Sequence, residues 1–140
     1  MLPIILQAAE NFCIHQIGLP HTTVDTNEKK RTLIAYLDIE TKDGEKHRAY
    51  LGCDKLLIQH IAEIYLGEES SDEETLMDML LETTNMIIGS AKVISETSEV
   101  NAFTISTPHF LKEDSFTIPY DAIHTIKIAE GEMMIAIKAL

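Results

Sequence analysis

The stretch from Ser71 to about Ser95 carries apolar residues at helical spacing, on one side only, for longer than any other part of the chain. Ser71 and Glu74 fit a capping box, S-x-x-E, which marks where such a helix opens. With Glu82 at zero and each residue advancing about 100 degrees, Leu76, Met79, Leu80, Met86, Ile87, Ala91 and Ile94 fall between about 40 and 180 degrees. That arc is a buried face. A helix with one apolar face must lay it on another layer, and the flanking segments offer strands for that layer.

On the N-terminal side, residues 3–17 read as a helix, with Pro3 in the first turn and Gly18 and Pro20 as stops. Residues 21–30 are polar and read as an exposed connection. Leu33, Ala35, Leu37 and Ile39 alternate along a strand over 32–40, residues 41–44 (Thr-Lys-Asp-Gly) form a turn, and 47–52 return as the second half of a hairpin. Asp54 caps a helix over 55–66 that Gly67 ends, and 68–72 is an acidic link. Beyond the long helix, 101–107 reads as a strand ended by Pro108, and 109–121 as irregular. A second hairpin pairs 123–129 with 133–139 around residues 130–132. The expectation is one α+β domain spanning 1–140, with a mainly antiparallel sheet packed with about three helices and a helix-then-strands rhythm repeated once.

Composition narrows the functions. The formal net charge is −12, which repels nucleic-acid backbones and anionic membrane surfaces alike. No apolar run approaches the roughly 20 residues of a membrane span, and the first ten residues lack the basic start of a signal peptide. Cys13 and Cys53 stand far apart with no C-x-x-C, so they read as buried thiols in a reducing cytoplasm. The six histidines show no metal-ligand spacing and read as scattered core or surface residues. No Gly-rich phosphate loop and no G-x-S-x-G is present.

Opposite the buried arc, Glu82, Asn85, Gly89 and Lys92 lie within about 80 degrees of one another as a solvent-facing stripe. Leu81 and Ile88 flank it outside the main apolar face, to be covered by a neighbouring helix or by an incoming partner. Gly89 in mid-helix costs about 1 kcal/mol against alanine, which fits close approach by another backbone. A carboxylate and a carboxamide one turn apart make no hydrolase alone, because neither activates a nucleophile and no metal cage lies beside them. They can complete a partner's site: an asparagine can aim a water at phosphorus, and a glutamate can pair with a lysine beside the phosphate. Lys92 reads first as a solvated charge and second as a docking residue.

Glu82-Thr-Thr-Asn85-Met-Ile-Ile-Gly89-Ser-Ala-Lys92 resembles the E-x-x-N-x-x-x-G-x-x-K helix of the CheC/CheX/FliY phosphatases of bacterial chemotaxis. Leu66-Gly67-Glu68-Glu69 before the helix, Ile105-Ser106-Thr107-Pro108 after it and the closing hairpin look CheX-like too. The resemblance implies a pseudo-two-fold fold and an enzyme that removes the aspartyl phosphate of CheY-type receivers. Glu82 and Asn85 then enter the receiver's active site, and the receiver supplies the phosphoaspartate, Mg²⁺ and a lysine; Leu81, Ile88, Gly89 and Lys92 are expected as partner contacts from their place beside and along the stripe. This chain would bind no cofactor of its own. A CheC-type chain would repeat the motif on the first helix. Here Ala8 stands three residues before Asn11, where a glutamate would be needed, so a single site is expected. One site on a stand-alone chain is similar to CheX, which implies a homodimer. The alternative from another class is a non-catalytic receiver-binding or flagellar-switch module with the same fold.

Overall fold

The computed structural model describes residues 1–25, 30–97, 102–128 and 131–140. Helix α1 spans Leu2–Asn11 and continues as a π-helical segment, Phe12–Ile17. Strands β1 (His21–Val24), β2 (Arg31–Thr41) and β3 (Lys46–Cys53) follow, then α2 (Lys55–Leu66) and α3 (Glu73–Thr97). The chain closes with β4 (Phe103–Ile105), β5 (His109–Ser115), β6 (Ala122–Ile128) and β7 (Gly131–Ala139). All seven strands form one antiparallel sheet in the order β1-β6-β7-β3-β2-β4, with β5 also paired to β2. The α+β architecture expected from the sequence is the one observed.

Leu33, Ala35, Leu37 and Ile39 of β2 face the helices, as their alternation requires, together with Leu51, Ile126, Met133 and Ile135. Against them pack Ile5 and Ala9 of α1, Ile58 and Ile61 of α2, and Leu80 and Ile87 of α3. The opposite sheet face holds a smaller cluster of Ile34, Tyr50, Phe116, Ile123, Met134 and Ala136. α1 and α3 pack on each other as well as on the sheet, so the long helix is held from beneath and from one flank.

Several expectations change. Residues 21–24 are a strand, not a loose connection, and 109–115 are β5, not irregular. Both are polar edge strands with no apolar alternation, and what makes them strands is distant pairing: β1 with β6, and β5 with β2 across a bulge between Ile34 and Ala35. The first helix does not stay α-helical to residue 17. Its last turn widens, and Gly18, at φ 73°, donates its N–H to the Cys13 carbonyl at 2.8 Å. The capping box also fails. The Asp72 carboxylate accepts from the Thr75 N–H at 2.8 Å, while the Ser71 hydroxyl donates to Glu68. Asp54 caps α2 as expected, accepting from the Leu57 N–H at 2.8 Å. It accepts from the Glu132 N–H at 3.0 Å as well, and Lys30 closes on it at 2.6 Å, tying α2 to β7. Of the expected 130–132 turn, Glu130 lies outside the described residues, as do Ala129, Asn101 and residues 26–29.

Candidate functional site

α3 is about 37 Å long at 1.5 Å per residue, and its N-terminal turn carries Glu73 and Glu74, which suit the helix dipole. Its buried residues are Leu76, Met79, Leu80, Thr83, Thr84, Ile87, Ile88, Ala91 and Ser95. On the wheel used above, these fill an arc from about 60 to 240 degrees. The arc is wider than the apolar residues alone suggested, because Thr84 and Ser95 are buried by donating to backbone carbonyls of their own helix, those of Leu80 and Lys92 at 2.7 Å each.

Glu82 and Asn85 are both exposed, one turn apart on the outer face, with Cβ atoms about 5–6 Å apart by helical geometry. Thr83 and Thr84 between them point inward and are buried, which locks the outward direction of the pair. Gly89 continues the stripe, and a Cβ added there meets nothing within 4 Å. Lys92 is half-buried, with its ammonium 3.9 Å from Glu96 one turn on. The stripe therefore exists as expected, but its flanks differ. Ile88 is only 2% exposed and belongs to the main core, so it is not a partner contact. Exposing it would forfeit about 1.5–3 kcal/mol. Leu81 is half-buried and packs against the same core. Val93, by contrast, is 61% exposed, about 20 degrees from Glu82 and one turn beyond Gly89. Its position outside the apolar arc was a signal available in the sequence and not used.

The site has no chemistry of its own beyond hydrogen bonding and charge. Among the described residues no three His, Cys, Asp or Glu side chains converge as a metal set. Burial pushes the Cys13 thiol up to about 11 and holds the Cys53 thiol well above its ordinary value, so both stay protonated and unreactive. Asn11 of α1 is half-buried and Ala8 is buried, leaving that helix without a matching pair. Among the described helices, none is long and apolar enough to cross a membrane.

Three layers of observation converge on one class: a chain with an antiparallel sheet, a buried-backed long helix and an outward Glu/Asn pair. The family model for the chemotaxis phosphatase CheX matches residues 38–129, well over half of the chain and including the whole of α3. The chain belongs to the CheX family of chemotaxis phosphatases. It is similar to the chemotaxis protein CheX of Vibrio vulnificus at 21% identity and TM-score 0.84, covering 99% of this chain and 95% of that one. A chemotactic CheC-like protein of Shewanella oneidensis aligns at 19% identity and TM-score 0.79, over 99% and 97% of the two chains. A structure of the Borrelia burgdorferi CheX-CheY-BeF3-Mg²⁺ complex aligns at 16% identity and TM-score 0.71, over 98% and 97%. At these identities the likeness establishes the fold. Direct comparison with curated proteins gives no match.

Proposed function

We propose that this chain removes the phosphate from the phosphoaspartate of a CheY-type response regulator. The observation that carries the reading is the pair Glu82 and Asn85, exposed together on a helix whose opposite face is buried. Family membership supports phosphatase activity, and the Borrelia complex supports a CheY-type partner.

In this reading Asn85 holds a water and aims it at phosphorus. Its amide can both accept from that water and donate to it, which Glu82 as a carboxylate and Lys92 as an ammonium cannot do. The water's oxygen bonds to phosphorus as the bond to the aspartyl oxygen breaks, the water's protons go with the departing inorganic phosphate, and the receiver keeps its aspartate as a free carboxylate. Glu82 pairs with a receiver lysine and sets the docking register. Most of the catalysis is positioning. Mg²⁺ belongs to the receiver, where it neutralises charge on the phosphoryl oxygens, and this chain works as a cytoplasmic homodimer.

The test is the decay of labelled phosphate on purified CheY receivers with Mg²⁺, with and without this chain. Faster loss supports the reading. Binding without faster loss replaces it with a non-catalytic docking module. The metal assignment has its own check. Chelation should stop the decay, while calorimetry of the isolated chain should show no tight stoichiometric Mg²⁺ binding.

A further inference from the structure

We infer that the receiver's contact extends sideways from the Glu82/Asn85 stripe into a cleft between α3 and the π-helical end of α1, that this cleft takes one apolar side chain of the receiver, and that the receiver's cations meet the acidic outer face of α3 along the stripe rather than the cleft. The inference rests on the proposed function, and its occupant is the same receiver.

The cleft opens directly beside the stripe. Its α3 wall is Met86 and Ser90, the residues following Asn85 and Gly89. On the α1 side it is lined by Ala8, Asn11, Phe12, His15 and Gln16. The volume is about 360 Å³, the space of roughly a dozen waters at about 30 Å³ each, so a bulky side chain fits. Ala8, Phe12 and Met86 give the cleft its apolar part, and Asn11, His15, Gln16 and Ser90 line it with polar groups, the mixture a side-chain pocket uses. The far wall is fixed in place, because the Tyr65 hydroxyl of α2 donates to Gln16 at 3.0 Å.

Two further observations describe the receiver surface that meets the stripe beside it. Gly131 needs to be glycine, since a Cβ there would sit 2.7 Å from the Leu57 side chain. Among the described residues Gly89 has no such neighbour, and the open surface beside the cleft admits an incoming backbone. Glu74, Asp78 and Glu82 are all exposed and lie within about 80 degrees on the outer face of α3. Among the described residues no cation pairs with any of the three. A partner approaching along this face is favoured if it brings lysines or arginines.

The experiment titrates this chain with a panel of CheY receivers, Borrelia burgdorferi CheY among them, each held in its BeF3/Mg²⁺ state, and measures phosphate decay in parallel. Ser90→Trp plugs the cleft from an exposed position, and His15→Trp does so from the other wall. Each should weaken receiver affinity by about tenfold or more, the scale of losing an anchor pocket. Decay at saturating concentration should stay within about twofold of the unchanged protein. Leu56→Trp, exposed on α2, should leave affinity and decay as they were. Weakened binding in the two cleft variants without any decay by the unchanged protein would keep the cleft and sink the phosphatase reading. Affinities within about twofold of the unchanged protein in both cleft variants, or no binding to any receiver, would overturn the cleft.

Discussion

Asn85 and Glu82 differ in what each can do, and single substitutions should separate them. Asn85 lies outside the buried arc, so Asn85→Ala opens no cavity and should change stability by less than about 0.5 kcal/mol. It removes the only group of the pair able to both donate to and accept from a water, so phosphate decay at saturating protein should fall by about 10²-fold or more. Glu82→Ala removes an ion-pair partner at the docking surface, so affinity and rate should fall together. Gly89→Ala should pull stability and function apart. With open space around the added methyl, melting should show a gain of about 1 kcal/mol in stability, while receiver binding weakens. A variant with both stability and binding raised would rule out close approach at Gly89. At this scale the sequence was legible where one side chain's direction follows from helical phase, as for Glu82 and Asn85. It was not legible at Ile88, because a threonine and a serine that bond to their own helix carry the burial around to its side.

Elements that bury an apolar face on the sheet were readable from period alone, which is why β2, β3, α2 and α3 emerged close to their observed bounds. β1 and β5 were not, since neither His-Thr-Thr-Val nor His-Phe-Leu-Lys-Glu-Asp-Ser alternates cleanly. Their strand character comes from neighbours some eighty to a hundred residues away, which no local pattern encodes. The β2–β3 hairpin carries an acid-sensitive contact of the opposite, local kind, between residues ten apart. Arg48 holds Asp38 with two bonds, of 2.7 and 3.1 Å, and lies 4.3 Å over the Tyr36 ring. The guanidinium keeps the Asp38 carboxyl below its ordinary value. A folded pKa below the unfolded one gives stability that is full above about 3.9 and is lost as pH falls through the folded value. The pair is partly exposed and screened, so its worth is modest. Asp38→Asn should therefore lower the melting temperature slightly at pH 7, and the difference should shrink as pH falls below about 4. A difference that persists unchanged at low pH would mean that the charge is not what matters there.

At the scale of the molecule, the sheet ends in open edges. Among the described residues, β1 pairs only with β6, and β5 pairs only with β2 and leaves Leu111 41% exposed. Open edges invite pairing with a second chain, and a two-fold dimer closes them at both partners at once. Lys112, Glu113 and Asp114 on β5 restrain indiscriminate pairing at that edge. Charge works against that association. Each copy carries −12 at pH 7, and bringing two together sums like charges across a surface contact. Salt screens this repulsion, since the Debye length shrinks from about 30 Å at 0.01 M to about 8 Å at 0.15 M. Edge pairing through backbone hydrogen bonds and apolar contact does not depend on salt in that way. Light scattering should thus find a dimer at tens of micromolar protein and physiological salt, with a dissociation constant that falls as salt rises from 0.01 to about 0.15 M. A strict monomer across that whole range would remove the dimer. A dimer that loosens with added salt would show instead that opposite charges hold the interface, and would move it away from the acidic faces.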